Sequence, residues 1–180
     1  MARISPVNEN ELQPSVQVAF ERHCKNYNDG ITNMKATLGY SLLAFETYMQ
    51  WYPLYEEVEK VLGKRLAYIF AYAISKTTDC TVCSAFFRKL IIEAGEQPEN
   101  LSLAPSQKDI YDFGGCIARH QGNINDQLYN TIAGRYSKRD MIVLVAFAGQ
   151  MIAASIFNNV IETDIDEYLL KYQPTFRYDC

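Results

Sequence analysis

Apolar residues recur along this chain at steps of three and four, the spacing that turns one face of a helix toward a core. The longest early run is Ile31, Met34, Leu38, Leu42, Phe45, Met49 and Tyr52, and Pro53 predicts its end. Upstream, residues 1–14 read as a loose arm punctuated by Pro6 and Pro14. A helix from near Ser15 then carries Val16, Ala19, Phe20 and His23, and Asn26 to Gly30 reads as a turn. A short amphipathic piece occupies 54–61, and Leu66, Ile69, Phe70, Ala73 and Ile74 mark a helix from Lys64. Thr77, Thr78 and Asp79 break that pattern and can cap a helix that begins near Cys80 and closes at Gly95.

Beyond a polar loop at 96–105, Ser106 can cap a helix carrying Ile110, Phe113 and Ile117. Gly122 and Asn123 mark a turn before a short helix with Leu128 and Ile132. Ser137 and Asp140 stand three apart, a relative of the capping box, at the start of a long apolar helix that fades near Asn158. A last helix spans 165–171, and 172–180 reads as an irregular tail. Alternation of strand length is absent. The pattern predicts one all-α domain over 1–180, a bundle of six to eight helices.

A length of 180 residues at 48% hydrophobic suits a single core. Net charge is −4, and the basic residues gather only at Arg135, Lys138 and Arg139, which argues against a nucleic-acid partner. The N-terminal residues are too polar for a secretory signal. The most apolar stretch, Met141 to Phe157, is interrupted by Gln150 and Ser155 and falls short of a bilayer span. No membrane contact and a cytoplasmic location are therefore expected. Thirteen tyrosines supply apolar area with a polar handle, suited to a core or a pocket wall.

The five cysteines are Cys24, Cys80, Cys83, Cys116 and Cys180, an odd and scattered set that does not read as a disulfide scaffold. Cys80 and Cys83 are different because two residues separate them at a predicted helix start. Unpaired backbone N–H groups and the helix dipole there favour the thiolate, which is the reactive form of a cysteine. The bland reading is a pair of small buried hydrophobes. Zinc usually needs four ligands, and His23 and His120 are isolated, so neither a metal nor a cofactor is expected.

Two stretches carry a resemblance. LGKRLAYIFAYAISKTTDCTVCSAFF resembles the helix, turn and CxxC helix of the carboxymuconolactone decarboxylase and alkylhydroperoxidase-D-like family. The stretch from Ser106 to Ile161 is similar to that family's later half, where a short helix precedes a long one, and the likeness covers roughly residues 31–165. The resemblance implies an alkylhydroperoxidase-D-like helical bundle that assembles as a dimer, trimer or hexamer. It also implies that Cys83 attacks peroxide and Cys80 resolves the product. In the peroxidases of that family a Glu lies twelve residues before the first Cys and a His four after the second. Here those positions hold Tyr68 and Phe87. Phe87 carries no proton and Tyr68 is neutral at pH 7, so the usual proton relay is missing.

The expected function is an atypical CxxC thiol-dependent oxidoreductase, a weak peroxidase or disulfide reductase acting on a small peroxide or disulfide. The alternative is a non-catalytic oligomer of the same fold that binds a small molecule or a protein. A non-redox isomerase or lactone-cleaving enzyme is a third reading. The candidate site is Cys80 and Cys83, with Tyr68, Phe87, Asp79, Glu46 and His120 as residues that could line its pocket. Asp79 has helix capping, and Glu46 and His120 have solvent exposure, as the plainer account of each.

Overall fold

The computed structural model describes residues 1–8 and 10–174; Cys180 and the tail from 175 lie outside the described residues. Among the described residues the chain forms nine α-helices and no strand. They are α1 (Pro14–Tyr27), α2 (Asn33–Leu38), α3 (Leu42–Met49), α4 (Trp51–Leu62) and α5 (Lys64–Thr77). Then come α6 (Thr81–Glu93), α7 (Pro105–Arg119), α8 (Asp126–Ala133) and α9 (Lys138–Ile161), and a 3-10 helix closes the fold at Glu167–Tyr172. The expected six to eight helices thus become nine because one apolar run divides.

That run is the one from Ile31 to Tyr52. Its helix breaks at Gly39 to Ser41, where Ser41 accepts a hydrogen bond from the Ala44 N–H (3.3 Å) and starts α3 afresh. Pro53 does not terminate anything. It sits at the third position of α4, where the missing N–H has no intrahelical acceptor to lose, and the helix runs on through the piece expected at 54–61. Local chemistry sets the other ends as the residues suggest. Gly95, at φ 84, closes α6 with two reversed hydrogen bonds, its own N–H to Ile92 O (2.9 Å) and that of Glu96 to Ile91 O (3.1 Å). Ser137 and Asp140 complete a reciprocal capping box on α9. The helix expected to be capped by Ser106 is capped two residues earlier, by Ala104, with Pro105 as its first residue.

The main core is built around α5, whose residues Leu66 to Ser75 are all buried. α6 and α7 flank it and α4 and α9 cover it. A second, smaller cluster joins α1, α2 and α3 through Val16, Phe20, Leu38 and Phe45. α9 is longer than the expected Met141–Phe157 stretch. At 24 residues it is long and apolar enough to cross a membrane by length and composition. Its inner face nevertheless packs Met141, Leu144, Phe147 and Met151 into the main core. The seam between the two clusters, closed on one side by the 3-10 helix, is where the cysteine pair lies.

Candidate functional site

Cys80 is the N-cap of α6. Its Sγ accepts the N–H of Cys83 (3.2 Å), the bond that a serine oxygen would ordinarily take at a helix start. Asp79 precedes it in the left-handed region (φ 49) and turns the chain between α5 and α6. Capping, expected of Asp79, is therefore done by the thiol itself. Cys80 is wholly buried, and Cys83 retains 9% exposure.

Two polar side chains of α9 close over the sulfurs. Asn158 Nδ2 lies 3.4 Å from Cys83 Sγ, 3.8 Å from Cys80 Sγ and 3.4 Å from Met34 Sδ. Ser155 Oγ lies 3.8 Å from Cys83 Sγ and donates to Met151 O (2.9 Å). The surroundings of this pair shift the two thiols in opposite directions. A hydrogen bond from the Cys83 thiol lowers the Cys80 pKa against the opposing effect of burial, and the Cys83 N–H, Ser155 and Asn158 add to it. Cys83 is pushed the other way, by its bond to Cys80, by burial and by the Cys80 charge. Of the two thiols, Cys80 is therefore the more readily ionised.

Cys83 opens onto a cavity of about 130 Å3. α6 contributes Val82, Phe86 and Phe87 to its wall, and α4 contributes Trp51 and Tyr52. Met151 and Ala154 of α9 and Leu169 of the 3-10 helix complete the apolar part. Trp51 stacks on Tyr55 (4.7 Å between centroids, 10° between planes) and its Nε1–H points at Met151 Sδ (3.0 Å).

The other end of the cavity is charged. Lys35 is 95% buried there, with Nζ 2.6 Å from Asp29 Oδ2 and 2.7 Å from Gly30 O. Tyr52 also donates its hydroxyl to Asp29. Burial works against the Asp29 carboxylate, but the bonds from Lys35 and Tyr52 outweigh it and its pKa falls. Burial raises that of Asp166, whose Oδ1 accepts the Asn33 N–H (2.8 Å). Asp29, Thr32, Asp166 and Tyr168 also line a surface groove, which makes this the solvent end.

Of the residues singled out from sequence, Cys83 and Phe87 meet at this cavity, with Cys80 immediately behind. The rest are placed elsewhere. Tyr68 is buried on α5 and faces the Arg65–Glu96 ion pair; burial and the Glu96 charge raise its pKa. Glu46 pairs with Arg22 on the outside of α3 (2.6 Å). His120 is the exposed C-cap of α7. Asp79 lines a separate groove with Cys116. Arg88 is buried, holding Tyr72, Glu99 and the Tyr172 carbonyl rather than the thiols. Sequence reasoning missed Asn158, Ser155, Trp51 and Lys35. A signal existed for two of them: Ser155 and Asn158 continue the helical steps of Met151 and so share its inward face. Among the described residues no three His, Cys, Asp or Glu side chains converge as metal ligands would.

No protein-family model and no curated protein matches the chain. Solved structures do. The debrominase Bmp8 superposes with a TM-score of 0.75 at 12% identity, over 94% of this chain and 95% of that one. A cysteine-to-alanine variant of Bmp8 bound to 2,3,4-tribromopyrrole gives 0.76 at 12% identity, over 94% of both chains. An alkylhydroperoxidase core protein from Ralstonia eutropha, described as peroxidase-related, gives 0.67 at 14% identity over 92% and 94%. A peroxidase-related protein from a Silicibacter species gives 0.67 at 13% over 95% and 92%.

The fold is that of the alkylhydroperoxidase-D core. In this chain the CxxC pair occupies the first turn of α6, and Phe87 stands one turn further along the same face. Phe87 forms part of an aromatic wall with Trp51, and behind the Cys83 thiol lies Cys80, whose pKa is lowered.

Proposed function

We propose that the protein is a thiol-dependent oxidoreductase that reduces a small apolar electrophile in the cavity beside Cys83. The observation that carries this is the division of labour within the pair. Cys83 borders an apolar cavity, while Cys80 is buried behind it, capping the helix with its pKa lowered. Cys80 then does what the absent His does elsewhere: it takes the Cys83 proton as Cys83 attacks. With an organic hydroperoxide, Cys83 Sγ attacks the distal oxygen and the O–O bond breaks. The alcohol leaves with a proton and Cys83 becomes a sulfenic acid. Cys80 attacks that sulfur and water departs, so one hydroperoxide and two thiols give alcohol, water and a disulfide. An external thiol reductant restores the pair. A carbon–bromine bond accepts the same two electrons, with Ar–Br and two thiols giving Ar–H, HBr and the disulfide. The likeness to a debrominase supports that substrate type alongside peroxides.

Non-catalytic binding is the second reading, and Phe87 in place of a proton carrier favours it. One experiment separates the two. The reduced protein is given one equivalent of an organic hydroperoxide or, separately, a bromopyrrole, and free thiols are counted with time. The expected result is rapid loss of two thiols in the parent and none in Cys83→Ser. Cys80→Ser should form a trappable sulfenic acid with hydroperoxide, more slowly than the parent reacts, and stop there. Thiol loss at the rate of a small free thiol, unchanged in Cys83→Ser, would leave only the binding reading.

A further inference from the structure

We propose that the cavity selects a neutral single aromatic ring bearing one O–H or N–H, which Asn158 Oδ1 receives beside Cys83. This rests on reading the cavity as the substrate site and names the class of molecule that enters it. Size sets the first limit. An apolar cavity of ~150 Å3 holds one benzene. At about 130 Å3 this one accommodates a single five- or six-membered ring. The walls set the second. Trp51, Phe86 and Phe87 offer ring faces and edges; Phe87 lies 6.3 Å from Trp51 and 5.1 Å from Phe86, tilted against both.

Charge sets the third limit. Two carboxylates, Asp29 and Asp166, face one ammonium, Lys35, and that ammonium is already bonded to Asp29 and to the Gly30 carbonyl. The solvent end therefore repels anions and offers a carboxylate ligand no free cation.

The last observation concerns Asn158 itself. It is 3% exposed and lines the cavity; its Nδ2 is engaged with sulfur, and its Oδ1 has no donor. Buried acceptors without partners are rare and costly. The other buried polar atoms without partners among the described residues belong to His23, Ser84 and Thr163, none of which lines this cavity. A ring whose donor meets Oδ1 satisfies that orphan. It also seats the ring edge at the thiol, because the same amide reaches Cys83 Sγ at 3.4 Å.

Trp51 is the chain's one tryptophan and lines the cavity, so its fluorescence reads occupancy with no turnover needed. The full-length reduced protein is titrated with phenol, anisole, toluene and benzoate. Phenol should bind about five- to tenfold more tightly than anisole, the worth of one hydrogen bond, and benzoate should not bind. Asn158→Leu should bring phenol and anisole within about twofold while retaining toluene. Equal affinity for phenol and anisole in the parent, or tighter binding of benzoate, overturns the proposal even if the variant fails to fold. The outcome is independent of thiol loss. A protein that binds phenol yet never forms the disulfide keeps this inference and loses the redox reading. One that oxidises readily without preferring phenol does the reverse.

Discussion

His23 shows how one side chain can tie stability to pH. It is 4% exposed, ringed by Tyr27, Phe45 and Tyr52, and neither ring nitrogen has a partner. Burial lowers its pKa to about 4, the Lys35 charge adds to the effect, and Asp29 opposes it. Above pH 6.5 the ring is neutral folded or unfolded and adds no pH dependence. Between 6.5 and 4 the unfolded chain takes up a proton that the folded chain refuses, so stability falls as pH falls. The loss approaches ~3 kcal/mol at the lower end. Urea unfolding at pH 7 and pH 5 should show this drop in the parent and a smaller one in His23→Leu; equal drops in both would remove His23 as the cause. The residues that sequence revealed best were those whose chemistry is local. Cys80 and Cys83 are three apart on one helix start, and Phe87 follows one turn later. Asn158 and Lys35 were harder to read: the helical step from Met151 gives the face of Asn158 but not what it meets there, and nothing local accounts for a buried Lys35. Asn158 meets sulfurs more than 70 residues away, and an Asn at the fading end of an apolar helix reads as surface. Lys35 sits in a run whose period gave no reason to bury a charge, and only the folded chain brings Asp29 and Tyr52 onto it.

At the scale of the element, glycine decides how closely helices approach. A Cβ on Gly114 of α7 would lie 2.8 and 2.9 Å from ring carbons of Phe70 and 3.1 Å from its carbonyl oxygen. Phe70 is fully buried on α5 and has nowhere to move. Gly114→Ala gains up to ~1 kcal/mol of helix propensity but incurs ~1–3 kcal/mol of overpacking, so a net loss is expected. Gly149 of α9 is the control. A Cβ there meets nothing within 4 Å inside its own chain, and Gly149→Ala should stabilise the fold of the single chain by ~0.5–1 kcal/mol. Opposite shifts in thermal midpoint would separate a packing glycine from an idle one; shifts of the same sign would refute the close approach. Helix ends were readable from sequence wherever a cap or a left-handed glycine made them, as at Ser137 and Gly95. They were not readable where two helices share one apolar stripe. Nothing in the period of Ile31 to Tyr52 marks the break at Gly39, because α2 and α3 both turn apolar residues toward Phe20 of the second cluster. Pro53 misled for a related reason: a proline that ends a helix and one that begins the next look alike in a continuous run.

Across the whole molecule, α9 has two characters. Its inner face fills the core and then supplies Ser155 and Asn158 to the thiols. Its outer face leaves Ile142, Val145, Ile156 and Val160 exposed, at helical steps with Gly149 between them. From Ile142 to Val160 the stripe runs about 27 Å along one helix. Scattered surface aliphatics are ordinary, but a continuous stripe of this length is of the kind found where protein surfaces meet. A second copy of the chain is the occupant we propose: antiparallel pairing of two such helices would match aliphatic to aliphatic with no charged side chain in the stripe. Light scattering on the eluting protein at micromolar concentration should give a multiple of the 20.6 kDa chain mass. Ile156→Glu should shift it toward the monomer, because a carboxylate buried within that contact has no cation opposite it. The substituted position points away from the cavity, so the variant should still bind phenol as the parent does. A parent that runs as a monomer would mean that this face serves some other surface. A variant that dissociates and also loses ligand would mean that pairing of α9 holds Asn158 in place over the thiols.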